Sequence, residues 1–169
     1  GNTGRGRSNL RRDAGGARGS ASPRPKVAGR AQRRLGLARL ATFGPAEFQR
    51  ETGVSRETLA RLEAYAALLL KWNRQINLIG RSSEADIWRR HILDAAQISP
   101  LIPKNVRSVA DVGTGAGLPG LILSILNSSA SFALIEPDGR KAAFLREAIR
   151  STQASAIVHN CRVEEVNLP

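Results

Sequence analysis

The chain has 169 residues, a formal net charge of +12, one cysteine and no methionine, a length that bounds it to one domain with at most a small accessory one. One cysteine excludes an internal disulfide, His91 and His159 stand too far apart for a metal-binding spacing, and no run of eighteen apolar residues is present to span a membrane. The composition fits a soluble, cytoplasmic protein that holds no metal.

The charge is unevenly spread. Residues 1–40 hold eleven Lys and Arg against the single acid Asp13, while residues 41–169 hold fifteen basic and thirteen acidic residues. Rich in Gly, Ala, Ser, Pro and Arg, the first segment has too little apolar surface to order itself and reads as a disordered basic tail. It has three competing origins: an arm that grips RNA phosphates, an organellar transit peptide, or residues translated from upstream of the true start. The lack of methionine favours the last, because the chain does not begin at an initiator.

Residues 41–104 read as a helical region. Pro45 to Glu51 forms a short amphipathic turn or helix closed by Thr52-Gly53. Ser55 is a good N-cap with Glu57 in the first turn, and Leu59, Leu62, Ala66, Leu69, Trp72 and Ile76 then recur at helical spacing. Ser83 followed by Asp86 resembles a capping box for a third helix, from about Glu84 to Ile98, that stops before Ser99-Pro100. Two polar clusters sit on these helices. The run Lys71-Trp72-Asn73-Arg74-Gln75-Ile76-Asn77-Leu78 either stacks a base and holds phosphate or is a helix end capped by Asn77. His91 and Asp94 lie three apart on one helix face, a spacing more typical of a structural hydrogen bond than of an acid and base.

Residues 105–169 carry the most informative stretch, Val109-Ala-Asp-Val-Gly-Thr-Gly-Ala-Gly-Leu-Pro-Gly120. The apolar run Val106 to Val112 reads as a buried strand, and Pro119 suits the first turn of the following helix, Gly120 to Leu126. Between them, glycine at 113, 115 and 117 permits positive φ and lets a ligand approach the main chain with no Cβ in the way. A dinucleotide fingerprint needs glycine at the sixth position, which here is Leu118, so a nicotinamide-dependent oxidoreductase is disfavoured. Asp111, two residues before the first glycine, suits an S-adenosylmethionine site, where a carboxylate can take the charged amino-acid end of the cofactor. Glu136 closes the next strand, Ser131 to Glu136, where a carboxylate can accept both ribose hydroxyls. Their bland alternatives are a loop cap and a solvated strand end.

Asp138-Gly139-Arg140-Lys141 opens a second helix with the stripe Ala142, Leu145, Ala148 and Ile149, and Ser155 to His159 reads as a third strand. The order β-α-β-α-β is the first half of a doubly wound sheet. Cys161, near a strand end, reads as a small buried hydrophobe.

Four motifs in this order, Leu70-Lys-Trp-Asn-Arg-Gln-Ile-Asn-Leu78, Arg90-His-Ile-Leu-Asp94, the glycine loop from Asp111 to Gly120, and Arg162-Val-Glu-Glu165, make residues from about Phe48 to Pro169 resemble the RsmG (glucose-inhibited division protein B) family of ribosomal RNA guanine-N7 methyltransferases. The resemblance implies a partial Rossmann-like S-adenosylmethionine-dependent methyltransferase fold, its first three strands preceded by a small helical region. It also implies S-adenosylmethionine as cofactor, small-subunit (16S) ribosomal RNA or the ribosomal particle as partner, and a monomer when complete. Family cofactor contacts carry over to Gly113, Leu118, Val163 and Glu164, with Asp111, Gly115, Gly117 and Glu136 beside them. No catalytic residue is assigned, because guanine N7 has a lone pair and no proton, so positioning alone can carry the transfer. The family continues with further strands and a Ser-Arg-Ala-Phe-like segment, so the chain reads as an N-terminal fragment whose glycine-loop strand forms an exposed edge, which works against activity in isolation. The alternative from another class is a noncatalytic RNA-binding protein that uses the basic arm.

Overall fold

In the computed structural model, residues 43–166 are described; the basic tail, and with it the choice among its origins, lies outside them. Helix α1 (Pro45–Thr52) begins with proline at its first position and ends at Gly53, whose left-handed backbone (φ 69°) returns its N–H to the Gln49 carbonyl. Helix α2 (Arg56–Asn73) starts at Ser55, whose side chain accepts from the Thr58 amide. The helix stops at Asn73, so Ile76, which the periodicity placed on it, packs from the turn beyond.

The expected regular helix from Glu84 to Ile98 is instead three segments of different winding, a 3-10 segment Arg81–Asp86, a π-wound turn Trp88–Leu93 and a brief α3 (Asp94–Ala96), and it ends as expected before Ser99-Pro100, where a 3-10 turn Ser99–Leu101 follows. Ser83 caps no helix. Its Oγ donates to the Gly80 carbonyl at 2.7 Å and meets His91 Nε2 at 2.7 Å, which ties the first piece to the second. Buried Ile87 and Ile92, and buried Trp88 and Leu93, are each five residues apart, and i→i+5 winding turns both pairs towards the core.

Strands β1 (Ser108–Val112), β2 (Ser131–Ile135) and β3 (Ala156–His159) form one parallel sheet in the order β1-β2-β3. They are joined by α4 (Gly120–Leu126) and α5 (Gly139–Thr152). Each strand is shorter than expected: Val106 stands before β1, Glu136 just after β2 and Ser155 just before β3. Crossovers that both advance in one direction lay both helices on the same face. The register follows this, pairing Val109 with Phe132 and Asp111 with Leu134 on the helix side, while Val112 and Ile157 remain 57% and 66% exposed on the other. Among the described strands β1 is an edge, as expected from the order.

One core joins the helices to the sheet. Leu62, Tyr65 and Leu69 of α2 share one buried cluster with Leu121, Ile122 and Ile125 of α4, Phe132 and Leu134 of β2, and Phe144 and Leu145 of α5. The α2–α5 contact also has a polar end. Arg61 donates Nε to the Thr152 carbonyl (2.6 Å) and Nη2 to the Gln153 carbonyl (3.0 Å), satisfying acceptors that the end of α5 leaves open. Arg61→Ala is expected to cost about 1–2 kcal/mol, the worth of charge-assisted hydrogen bonds at a half-buried position, read as a lower urea midpoint with an unchanged slope.

Candidate functional site

The glycine loop leaves the carboxyl end of β1 and returns into α4, where ligands bind in open α/β sheets. Gly113, Gly115 and Gly117 all have positive φ (71°, 57° and 81°), as only glycine readily allows. The loop folds on itself through Thr114, whose carbonyl accepts from the amides of Gly117 (2.8 Å) and Leu118 (3.1 Å). Gly113 is the open point: a Cβ built there would meet nothing within 4 Å.

Two carboxylates tie this loop down from within. One oxygen of Asp111, Oδ2, accepts from both Thr114 Oγ1 (2.5 Å) and the Gly120 amide (2.9 Å). The bland reading of Asp111 as a loop cap therefore describes what that oxygen does. Its other oxygen, Oδ1, has no hydrogen-bond partner among the described residues. Glu136 is 5% exposed and is no solvated strand end. Its Oε2 accepts from the Gly115 amide and its Oε1 from the Asp138 amide, both at 2.9 Å. Each of those oxygens retains a second lone pair. Asn160 joins the end of β3 to this corner, donating Nδ2 to the Glu136 and Pro137 carbonyls at 2.8 and 3.1 Å.

Val163 and Glu164 lie in a 3-10 turn, Val163–Glu165, after β3, at the same carboxyl end of the sheet. Both are exposed, Val163 at 43%, and the turn is held by the Arg162 amide on Glu165 Oε2 at 3.1 Å. Leu118 is half-buried and faces a cleft of about 180 Å³ lined also by Pro119, Arg90, His91, Asp94 and Ala95.

The Trp72 ring sits edge-on to Phe144 at 5.9 Å, and its Nε1 donates to Glu147 Oε2 at 3.2 Å. Asn77 is exposed and caps nothing. The capping side chain is buried Asn73, whose Oδ1 accepts from the amides of Leu78 and Ile79 while its Nδ2 donates to Glu84 Oε1. The expected His91–Asp94 hydrogen bond is likewise absent among the described residues. His91 meets Ser83 instead, and because the Ser83 hydroxyl proton goes to Gly80, His91 must carry its own proton on Nε2. Burial first, and the neighbouring Arg90 second, hold His91 below the ordinary imidazole range, against the pull of Asp94 and Asp86. At neutral pH the ring is uncharged. Cys161 is half-exposed rather than buried.

Sequence reasoning missed two residues that shape the loop. Tyr65, fully buried in α2, donates its hydroxyl to the Ala116 carbonyl at 2.8 Å, so the helical region holds the loop from behind. Burial pushes its phenol above the usual tyrosine range, which keeps the hydroxyl a donor. The second is Gly120, whose backbone packs directly against Asp111 and Leu134. No motif marks a tyrosine fifty-one positions before its partner, whereas a glycine opening a helix is a visible signal of close packing.

Among the described residues no group of three or more His, Cys, Asp or Glu is placed to hold a metal ion, and no helix is long and apolar enough to cross a membrane. The sequence model of a family described as rRNA small subunit methyltransferase G matches residues 58–168. Three similar proteins bear the name ribosomal RNA small subunit methyltransferase G. That of Rhodospirillum centenum is 53% identical over 128 residues, covering 76% of this chain and 59% of the relative. That of Paramagnetospirillum magneticum is 48% identical over 124 residues (73% and 60%), and that of Rhodospirillum rubrum 50% identical over 120 (71% and 59%). The chain thus spans about three fifths of the length of these relatives.

Proposed function

Because the chain belongs to the rRNA small subunit methyltransferase G family, we propose that it forms the S-adenosylmethionine site of an enzyme that methylates guanine N7 in small-subunit (16S) ribosomal RNA in the cytoplasm. The observation that carries this reading is the left-handed glycine loop, open at Gly113 and flanked by carboxylates at the ends of β1 and β2. These residues fit the cofactor. Asp111 Oδ1, without a partner among the described residues, would receive the ammonium of the methionine part. Glu136, through its remaining lone pairs, would accept from the ribose hydroxyls, and Gly113, Gly115, Gly117 and Leu118 would line the main-chain side. Val163 and Glu164, beyond β3, would border the base. When bound, S-adenosylmethionine supplies a methyl group on a positively charged sulfur.

The work left to the protein is positional. Guanine N7 offers an in-plane lone pair and carries no proton, so no residue has to accept one. His91, neutral and committed through Nε2–H to Ser83, therefore needs no role as a base. Holding the acceptor in line can lower a barrier by about 7–11 kcal/mol, and a loop fixed by Asp111, Glu136 and Tyr65 provides a rigid reference for that alignment.

Calorimetric titration of S-adenosylmethionine into the chain, with the whole Rhodospirillum centenum relative as reference, tests the reading. Saturable binding by both supports it, and binding by the relative alone overturns it for this polypeptide. Asp111→Asn sharpens the test. The amide oxygen can keep both bonds now made by Oδ2, so the fold is expected to survive with its urea midpoint nearly unchanged. Loss of the charge that faces the ammonium is expected to weaken binding about tenfold, equivalent to about 1.4 kcal/mol. Unchanged affinity would leave Asp111 a loop cap and nothing more.

A further inference from the structure

We infer that the cleft between the π-wound turn and the end of the glycine loop is a guanine-reading pocket in which the Asp94 carboxylate accepts from the N1–H and N2–H of one base. The inference rests on the methyl-transfer reading for its claim that this base is the methyl acceptor, and deepens it by naming what selects the base.

Three observations carry it. The cleft is lined by Arg90, His91, Asp94, Ala95, Ile98 and Leu118, with Pro119, and its volume of about 180 Å³ is below that of pockets for drug-sized ligands. It suits a single flat base. Leu118 and Pro119 belong to the segment that joins the glycine loop to α4, so the pocket opens beside the candidate cofactor site and not elsewhere on the surface. Its charged groups are also uncommitted: Arg90 and Asp94 are both exposed, and neither makes an ion pair or side-chain hydrogen bond with another described residue. They stand four apart in sequence, a spacing at which opposite charges readily pair on an α-helix, yet across the π-wound turn they do not.

The chemistry then selects the base. Guanine alone presents two adjacent N–H donors on its Watson–Crick edge, which one carboxylate can receive together, whereas adenine and cytosine set an amino donor beside a ring acceptor that a carboxylate repels. Unstacked RNA bases are commonly read on this edge. A base held there leaves N7, on its other side, free of protein and open to methylation. Apolar Ile98, Leu118 and Pro119 offer walls for its faces, and Arg90 at the rim meets the phosphate as a bidentate donor. His91 adds no charge, so the pocket holds one anion for the base and one cation for the backbone.

The probes are guanosine and adenosine 5′-monophosphate, titrated into the isotope-labelled chain while backbone amide shifts are followed. Guanosine monophosphate is expected to shift Arg90, His91, Asp94, Ala95 and Leu118 saturably, with adenosine monophosphate binding at least about tenfold more weakly, the usual discrimination of a good bidentate contact. Asp94→Asn is expected to abolish that preference, and Arg90→Gln to weaken both nucleotides alike, each variant keeping its amide spectrum elsewhere. Equal binding of the two nucleotides, shifts centred away from the cleft, or a preference that survives Asp94→Asn would each overturn the inference. S-adenosylmethionine binding is measured on the same samples: its failure would count against the methyltransferase reading, while the nucleotide preference would still decide the pocket.

Discussion

Replacing Gly120 by alanine is expected to destabilise the chain by about 3 kcal/mol, the upper end of the usual cost of overpacking, and to abolish S-adenosylmethionine binding. The new Cβ would lie 2.5 Å from Asp111 Oδ2 and 2.7 Å from both Asp111 Cβ and Leu134 Cδ2. These neighbours are a short side chain at the end of β1 and a buried leucine in β2, so neither can swing away. Relief requires α4 to lift from the sheet, which breaks the Gly120 amide bond to Asp111 and releases the end of the glycine loop. Gly113→Ala is the matching control. It meets no atom within 4 Å but sits at φ 71°, so it should cost only the left-handed strain of a Cβ residue, about 1–2 kcal/mol. Urea unfolding of both variants checks the order. A larger loss at Gly113 than at Gly120 would mean that backbone conformation, and not close packing of helix on strand, sets the loop's tolerance.

Glu136→Gln is expected to lose about 2 kcal/mol of stability and at least tenfold in S-adenosylmethionine affinity. Both carboxylate oxygens receive a backbone amide, from Gly115 and from Asp138, in a nearly closed corner. An amide side chain has one oxygen, so its NH₂ group must face one of those two N–H donors. A buried donor left without an acceptor costs about 1–3 kcal/mol. If the Gly115 bond is the one lost, the middle of the loop comes free; if the Asp138 bond is lost, the turn that opens α5 loosens. Amide hydrogen exchange at Gly115 and Asp138 distinguishes the two, and calorimetry reads the affinity. Wild-type stability and protection in Glu136→Gln would show that this carboxylate does not organise the loop. The contrast with Asp111→Asn is instructive: Asp111 makes both of its bonds through one oxygen, so the same chemical change is tolerated there.

Much of the local structure was legible from neighbouring residues alone. Ser55 and Asp138 cap the helices that follow them, and Gly53 closes α1, because each bond involved spans only a few positions. The three loop glycines take positive φ because any other residue there is strained, and the strands sit within the segments read as strands. The family was legible too, since four separated motifs in fixed order carry more information than any one glycine loop. Tertiary structure decided the rest. Trp72 carried a sequence signal for RNA stacking but finds Phe144 and Glu147, seventy-five positions from the latter, and Tyr65 and Arg61 reach partners fifty-one and ninety-one positions away. The stretch from Glu84 to Ile98 read as one helix because Ser83 and Asp86 resemble a capping box, yet the core required pairs five apart to face inward, which an α-helix does not provide. Sequence patterns encode the bonds a residue makes along its own element, whereas the partner met across the core depends on where every other element packs. For this chain the loop's conformation belongs to the first kind of information, and the side chains that hold it in place, Tyr65 from behind and Glu136 from below, belong largely to the second.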